Sequence, residues 1–225
     1  MKYLFFDTET TGLPKNRDEA TKGPGNWPHI VSLSWRIYNN DKFERSESFI
    51  IKPNNWNIPE DSINIHGITN EKAMNEGSEL NYVINKFMGE FQNDAIQYLI
   101  AHNIEFDYNV LINAILWDLK LPYPQFPKMF CTMKESKNIM RMPYGNGRGG
   151  IKPPKLSELY EFVFKKKPMA NQLHGSAYDT EILADIVMNY EPFKKILGLG
   201  ITPSKEDKEE IKHENNKKRK ITLFI

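Results

Sequence analysis

The 225-residue sequence predicts an α/β fold in which a mixed β-sheet, with three antiparallel strands followed by parallel strands, is covered by helices. Two observations lead to this prediction. Short apolar runs separated by brief polar links dominate the start of the chain, and later strand-like runs alternate with segments of helical periodicity. Because parallel strands need a long crossover, usually a helix, this alternation indicates that the sheet continues with parallel strands.

Three apolar segments are predicted to form the antiparallel part of the sheet. Residues 3–6 suit a buried strand that ends in the polar run 7–11, with Gly12 as a turn residue. After a loop that contains Gly and Pro, residues 30–38 and 43–51 read as the second and third strands. The short link between these two strands indicates a hairpin.

Helical periodicity is clearest in the middle of the chain, where apolar residues recur at the spacing of one helix face and Ser78 is available as an N-cap. These apolar residues are Leu80, Val83, Ile84, Phe87, Met88 and Phe91. The elements predicted after them are a strand at 98–101, a helix at 107–119, an edge strand at 129–132, and helices at 156–164 and 178–190. The Gly-, Pro- and Arg-rich stretch 141–154 is expected to be a surface loop.

Composition sets limits on domain number and on the class of protein. The length favours one domain, expected at residues 1–197, followed by a charged tail at 198–225 that ends in an apolar segment. A formal charge of +1 excludes a global positive field, so any nucleic-acid binding must be local. The single cysteine, Cys131, cannot form an internal disulfide, and no signal peptide or membrane span is recognisable, so we expect a cytoplasmic protein.

The first candidate site is Asp7 and Glu9, which directly follow the first predicted strand. Residues two apart on an extended segment project to the same side, so both carboxylates can share one cation. The same pattern is also common in solvated turns. Its position at the end of a buried strand, where active sites of α/β sheets gather, favours the functional interpretation.

Two further clusters contain acidic and histidine residues. His102, Asn103, Phe106 and Asp107 form an H-N-x-x-F-D pattern at a predicted strand end, although Asn103 as a helix cap and Asp107 as first-turn support is an alternative reading. His174 and Asp179 are five residues apart, which rotates their side chains about 140° from each other on a helix. We therefore place His174 in a loop and Asp179 in the first turns of the following helix.

In their order and residue types, the three clusters resemble the DEDDh 3′-to-5′ exonucleases, a ribonuclease-H-like group that includes DnaQ-like proofreading exonucleases and ribonuclease T. The resemblance covers roughly residues 1–195. It also extends to the segments 65–69, 131–132 and 155–159. The long loop after Leu13 and the Gly/Arg-rich loop at 145–150 depart from the family pattern, and they leave the substrate preference open.

The resemblance implies specific roles for these residues. Asp7, Glu9, Asp107 and Asp179 would hold two Mg²⁺ or Mn²⁺ ions, with Asp7 bridging them, and His174 would act as general base on the attacking water. An unperturbed histidine pKa of about 6.5 suits that role at neutral pH. The implied substrate is single-stranded nucleic acid with a free 3′ end, DNA favoured, cut to 5′ mononucleotides. The implied substrate contacts are Thr10, Thr11, Leu13, His66, Asn103 and Phe106.

Several alternatives stay open at the level of sequence. Leu13 and Phe106 could equally be core residues, and Arg148, Lys152 and Lys155 could either contact phosphates or simply be solvated. A catalytically silent nucleic-acid-binding accessory module of a polymerase, or a 3′ exoribonuclease, would carry the same fold. The apolar tail residues Ile221, Leu223, Phe224 and Ile225 could pack on the domain or bind a polymerase or sliding clamp.

Overall fold

A computed structural model describes residues 1–93, 95–145, 149–169 and 173–199. Most of the predicted tail, including Ile221 to Ile225, and the candidate phosphate contact Arg148 lie outside these residues. None of the helices in the described part of the chain has the length and apolar character needed to cross a bilayer.

Five strands form one sheet: β1 (Lys2–Thr10), β2 (Ile30–Asn39), β3 (Lys42–Ile50), β4 (Ile96–Ala101) and β5 (Lys128–Cys131). Their order across the sheet is β3-β2-β1-β4-β5. β1, β2 and β3 pair antiparallel, whereas β4 lies parallel to β1 and β5 parallel to β4. The predicted mixed sheet is confirmed, and β5 lies at its edge as expected. The first strand was predicted to end at Phe6 but continues to Thr10, so Asp7 and Glu9 lie within β1 and not after it.

The α-helices in the described residues are α1 (Glu60–His66), α2 (Asn70–Glu76), α3 (Leu80–Asn93), α4 (Ile104–Asn113), α5 (Thr132–Met140), α6 (Leu156–Phe164), α7 (Ser176–Asn189) and α8 (Glu191–Leu197). A 3₁₀ turn covers Ala20–Lys22, and a π-helical segment, Ala114–Asp118, extends α4. The sequence did not predict α1, α2, α5 and α8. α1, α2 and α8 are seven residues long, too short for a clear helical period, and α5 has a mostly polar sequence with few apolar residues to mark a face.

Three details of the predicted helices are wrong. α4 begins at Ile104 rather than at residue 107, because Asn103 takes a left-handed conformation with φ 72° and the helix starts directly after it. α7 begins at Ser176, two residues earlier than predicted. Ser78 does not cap α3, since its backbone pairs with Ile50 and Lys52 and Glu79 is the residue before the helix.

The two faces of the sheet carry separate apolar clusters. Leu4 and Phe6 of β1 pack with residues of α3 and α4, and Tyr3 and Phe5 pack with residues of α6, α7 and α8. Successive residues of a strand point to opposite faces, so β1 sends even-numbered side chains toward α4 and odd-numbered ones toward α7. This alternation continues past the apolar residues and positions the polar end of β1.

Candidate active site

The polar end of β1 places its side chains on both faces of the sheet. Asp7 and Glu9 continue the odd-numbered series toward α7, and Thr8 continues the even-numbered series toward α4. Opposite them on β2, Ser34 pairs with Asp7 and Ser32 pairs with Glu9 in the antiparallel register. Side chains from two strands and two helices therefore converge at the C-terminal end of β1, the central strand of the sheet.

Asp7, Glu9 and Asp179 form a carboxylate cluster, with one oxygen of each lying within 4.8 Å of the others. Asp179 lies in the first turn of α7, where its backbone N–H bonds the Gly175 carbonyl at 3.0 Å. Its Oδ1 atom is buried and has no hydrogen-bond partner among the described residues. A buried carboxylate oxygen without a donor needs a counter-charge, and a divalent cation supplies one.

Burial and mutual repulsion raise the pKa values in this cluster. The pKa of Asp7 lies well above its usual range, because burial and the charges of Asp107, Glu9 and Asp179 all disfavour its ionised form. Burial, together with Asp179 and Asp107, raises the pKa of Glu9 to about 8. Burial raises the pKa of Asp179 to about 6, against the opposing effect of the His174 ring charge and backbone N–H.

The fourth predicted carboxylate, Asp107, approaches from the α4 side and is only 3% exposed. Its Oδ1 accepts two hydrogen bonds from Thr8, at 3.1 Å from the backbone N–H and 2.7 Å from the hydroxyl. Burial raises the pKa of Asp107 to about 7, and the two bonds from Thr8 oppose this rise. Asp107 adds its charge to Asp7 and Glu9 but lies outside the three-carboxylate cluster.

His174 lies in the loop before α7, as the spacing predicted, and its side chain is exposed. Its φ of 64° is left-handed, a conformation that non-glycine residues adopt uncommonly. Gly175 alone separates it from the first residue of α7. His174 lies close enough to Asp179 for its charge and its backbone N–H to lower the pKa of that carboxyl.

The turn after β1 presents one exposed apolar side chain. Leu13 is 82% exposed, so its interpretation as a core residue is wrong. Thr10 is buried, and its hydroxyl donates to the Gly12 carbonyl at 2.7 Å. Thr11 and His29 exchange two bonds, from Thr11 N–H to the His29 carbonyl and from His29 N–H to the Thr11 hydroxyl, each 3.0 Å. These contacts fix the backbone that carries Leu13.

His66, at the end of α1, lies beside this turn. Its Nδ1 accepts the Ile68 N–H at 3.1 Å, so the neutral ring carries its proton on Nε2. That Nε2 atom is buried and has no hydrogen-bond partner among the described residues. Burial lowers the pKa of His66, while the nearby Thr10 backbone favours the protonated ring.

The side chains from His102 to Asp107 contact different parts of the structure. Asn103 occupies the N-cap position of α4 and Asp107 lies in the first turn, as the alternative reading expected, but the Asn103 side chain makes no cap bond. Phe106 is partly buried against the apolar cluster of α3 and α4, and its ring lies 5.8 Å from that of Trp27. The ring of His102 bonds the Thr132 hydroxyl at 2.9 Å and the Pro154 carbonyl at 3.0 Å. Burial lowers the pKa of His102 to about 4.

A family model described as an exonuclease, RNase_T, matches residues 4–187. The chain belongs to this exonuclease family. Membership confirms the resemblance to DEDDh enzymes and makes the chain a 3′ exonuclease, a hydrolase of phosphodiester bonds. The matched range contains each of the candidate carboxylates and His174. A search of curated protein sequences gives no significant match for this exonuclease.

Solved structures share the fold of this exonuclease. Exonuclease X in complex with 5′ overhanging duplex DNA is 22% identical, with a TM-score of 0.55 over 87% of this chain and 93% of that one. The nuclease domain of 3′hExo, a DEDDh family member bound to rAMP, is 16% identical with a TM-score of 0.63, over 85% and 92% of the two chains. E. coli exonuclease I with a dT13 oligonucleotide is 16% identical with a TM-score of 0.66, over 87% of this chain and 42% of that one.

This exonuclease thus spans under half the length of exonuclease I. At these levels of identity the neighbours establish the ribonuclease-H-like fold. They do not carry substrate or pathway to this chain.

Sequence reasoning missed a second set of polar residues. Thr8 was read only as part of the acidic motif, although strand alternation alone places it on the opposite face from Asp7 and Glu9. Ser32, Ser34 and Ser176 are buried at 4%, 1% and 3% exposure beside the carboxylates. The signal available in the sequence was serine at three positions where apolar residues would be expected. The role of these serines becomes clear only from the packing of β2 against α7.

Proposed function

We propose that the chain is a metal-dependent 3′-to-5′ exonuclease that releases 5′ mononucleotides from single-stranded nucleic acid, DNA favoured, by a two-metal mechanism. The observation that carries this proposal is the convergence of Asp7, Glu9 and Asp179 within 4.8 Å of one another, with an unpartnered buried oxygen on Asp179. We assign this activity to residues 1–197.

The donor set fits hard divalent cations. Carboxylate oxygens are the ligands that Mg²⁺ and Mn²⁺ prefer, and the raised pKa values of Asp7 and Glu9 show that their charges are poorly compensated by protein groups. Asp7, Glu9 and Asp179 would hold one ion, and Asp107 would complete the ligand set of a second with Asp7. When bound, such ions stabilise the charge that builds on the phosphate and leaving oxygen and lower the pKa of a bound water.

The protein's own groups move the proton and place the strand end. His174, exposed and close to Asp179, is positioned to take a proton from the attacking water. Thr8 holds Asp107 in place through its two hydrogen bonds. These contacts fix the carboxylates before substrate arrives, which lowers the cost of organising the transition state.

The proposed subsite for the 3′-terminal nucleotide lies around the turn after β1. The exposed Leu13 side chain offers an apolar contact for the last base, and the free Nε2–H of His66 offers a donor beside Thr10. Backbone groups of Thr10 and Thr11 would meet the terminal sugar. Asn103 and the outer edge of Phe106 complete the proposed contacts, since aromatic rings hold single-stranded bases with little sequence preference.

A local excess of positive charge supports a path for the phosphate backbone. Residues 128–167 contain ten Lys and Arg side chains against three Glu, within a chain whose formal charge is +1. The bond from His102 to the Pro154 carbonyl brings the segment that holds Lys152 and Lys155 to the end of β4, one strand from β1. Lys152 is also paired with Glu158 at 2.5 Å, so Lys155 is the stronger candidate for a phosphate contact.

The test of catalysis is Asp7→Asn and Asp179→Asn in the full chain. Loss of a ligand should lower turnover in Mg²⁺ by a hundredfold or more, on the order of 3 kcal/mol of transition-state stabilisation, while the chain stays folded. Chelation should abolish the wild-type activity. Retention of more than a tenth of wild-type activity by either variant would refute the two-metal assignment.

Polarity and substrate are tested by digesting 3′-labelled and 5′-labelled single strands of DNA and RNA side by side. Early release of a labelled mononucleotide from the 3′-labelled strand identifies 3′-to-5′ digestion, and the relative kcat/KM separates DNA from RNA. Faster cleavage of RNA would favour the alternative of a 3′ exoribonuclease. Binding without hydrolysis would favour a catalytically silent polymerase-accessory module.

The proposed attachment of the tail to a polymerase or sliding clamp depends on Ile221 to Ile225, outside the described residues. Tethering would raise the local substrate concentration without changing the active site. Deletion of residues 221–225 should reduce clamp pull-down and leave hydrolysis of short oligonucleotides and thermal stability unchanged. A large loss of stability on deletion would instead show that these residues belong to the fold.

A further inference from the structure

Beside the carboxylate cluster lies a chain of buried hydroxyl groups that joins β2 to the first residue of α7. The Ser176 hydroxyl lies 2.9 Å from that of Ser32 and 2.7 Å from that of Ser34. Ser34 in turn donates to the Ser48 hydroxyl on β3 at 2.8 Å. Ser32, Ser34 and Ser176 are each less than 5% exposed, so water does not compete for the two bonds of Ser176, whereas Ser48 is exposed.

The direction of every bond in this chain follows from the single proton of each hydroxyl. Ser34 gives its proton to Ser48, so in its contact with Ser176 it must accept. Ser176 therefore donates to Ser34, and in its other contact it must accept from Ser32. The order Ser32 to Ser176 to Ser34 to Ser48 is unique, and Ser176 both accepts and donates within it.

This hydroxyl chain lies beside the ligands of the proposed metal site, on the neighbouring strand and the same helix. Ser32 and Ser34 are the register partners of Glu9 and Asp7, and Ser176 is three residues before Asp179 on α7. Side chains three residues apart lie on neighbouring positions of the same helix face. The bonds from Ser176 to β2 thus set how closely the start of α7, and with it Asp179, approaches the two carboxylates of β1.

The other contacts between β2 and α7 constrain the distance from Asp179 to the carboxylates of β1 less precisely. Arg36 of β2 pairs with Glu181 at 2.5 Å, but Glu181 is 49% exposed and long, flexible ion pairs of this kind constrain geometry weakly. Apolar packing of α7 is concentrated further along the helix, at Ile182, Leu183, Ile186 and Val187. The serine chain is a buried polar contact in the first turn of α7, which also carries Asp179.

We propose that Ser176 is a positioning residue that holds Asp179 at metal-binding distance from Asp7 and Glu9, with Ser32 and Ser34 as its partners on the sheet. The inference rests on the proposed metal site. It requires that loss of the Ser176 hydroxyl weakens cation binding itself, in addition to any effect on hydrolysis. Groups that orient ligands from behind typically contribute 10- to 100-fold to metal affinity or activity, roughly the size of effect expected here.

The experiment measures Mn²⁺ binding to the full chain by calorimetry, without nucleic acid, for wild type and Ser176→Ala. We expect the affinity of Ser176→Ala for Mn²⁺ to fall by about tenfold, with a similar fall in kcat and a KM for oligonucleotide unchanged within about twofold. The matched control is Thr180→Val on the same helix. Among the described residues its buried hydroxyl bonds the Ser176 carbonyl alone, at 2.5 Å, and makes no link to the sheet. Thr180→Val should bind Mn²⁺ like the wild type.

A double-mutant cycle separates positioning from general loss of stability. Ser34→Ala and Ser176→Ala remove the same bond, so their effects on Mn²⁺ affinity should be far from additive. If Ser176→Ala fails to fold, Ser32→Ala and Ser34→Ala, each of which leaves Ser176 one partner, carry the same comparison.

Mn²⁺ affinity within twofold of wild type in Ser176→Ala, or an equal loss in Thr180→Val, would overturn the proposal. So would a wild-type chain that binds no Mn²⁺. A wild-type chain that binds Mn²⁺ but hydrolyses no nucleic acid would refute the proposed function and leave the positioning role of Ser176 intact.

Discussion

Replacement of Glu9 by Gln should make the metal-free protein more stable while it abolishes catalysis. Glu9 is partly buried beside Asp179 and Asp107, and these surroundings raise its pKa from 4.5 to about 8. The folded chain therefore holds a proton on Glu9 that the unfolded chain has released at neutral pH. Gln has nearly the same shape as Glu and no charge, so the replacement removes the free-energy cost of burying an ionisable carboxyl at this position.

The magnitude follows from the pKa of Glu9. At pH 8 the rise corresponds to roughly 4 kcal/mol, using about 1.36 kcal/mol per pKa unit, and solvent screening at this partly exposed group reduces it. We expect Glu9→Gln to raise the free energy of unfolding by about 2 to 3 kcal/mol, or the melting temperature by roughly 5 to 10 °C for a chain of this size.

The sign of the pH dependence is fixed by the same shift. Between pH 4.5 and about 8 the folded state binds more protons at Glu9 than the unfolded state does, so the metal-free wild type loses stability as pH rises through this window. Glu9→Gln lacks this loss. Its advantage should be small near pH 4.5 and largest at pH 8 and above.

The assay is thermal and urea unfolding in EDTA at several pH values, for wild type, Glu9→Gln and a surface control, Glu135→Gln. Glu135 is exposed and its side chain makes no hydrogen bond or ion pair among the described residues, so its replacement should have little effect. Added Mn²⁺ should stabilise the wild type by mass action and stabilise Glu9→Gln far less. A Glu9→Gln variant no more stable than wild type at pH 8 in EDTA would show that the carboxylates are not in conflict in the metal-free site.

Four further predictions concern the surrounding residues. Thr8→Val keeps the shape of the side chain but removes the 2.7 Å bond to Asp107, so turnover should fall about tenfold and Thr8→Ser should restore it; equal activity of both variants would refute this role. His174→Ala should flatten the rise of activity with pH and lower turnover about a hundredfold, whereas an unchanged profile would remove His174 as the base. NMR titration should show His102 neutral down to about pH 4, because burial lowers its pKa to about 4, and a midpoint near 6.5 would contradict the buried geometry. Leu13→Ala should raise KM and leave the melting temperature unchanged, since the side chain is 82% exposed, and a large loss of stability would show that Leu13 is a packing residue.

The sequence predicted the elements whose pattern is local and long enough to read. β1 to β5, α3, α6 and α7 were predicted to within a few residues, because apolar alternation and helical spacing depend only on neighbours along the chain. The seven-residue helices α1, α2 and α8 were missed because they have too few turns for a period, and α5, which is as long as α6, was missed because its sequence is mostly polar.

The sequence also determined which acidic residues meet. Spacing predicted that Asp7 and Glu9 lie together, and the resemblance to the DEDDh exonucleases implied that Asp107 and Asp179 join them; the structure brings Asp7, Glu9 and Asp179 within 4.8 Å of one another. The spacing also placed His174 in the loop before α7, because two residues five apart on one helix would point about 140° away from each other.

Only the tertiary structure decided what holds those carboxylates. The bonds from Thr8 to Asp107 join residues 99 positions apart, and the contacts of Ser176 with Ser32 and Ser34 span 144 and 142 positions. The sequence around a hydroxyl residue does not identify its hydrogen-bond partner, because that partner is whichever group folding brings within about 3 Å. The residue types that can bind metal were therefore readable from the sequence, whereas the hydrogen bonds that set their positions appear only when β2, α4 and α7 pack around the end of β1.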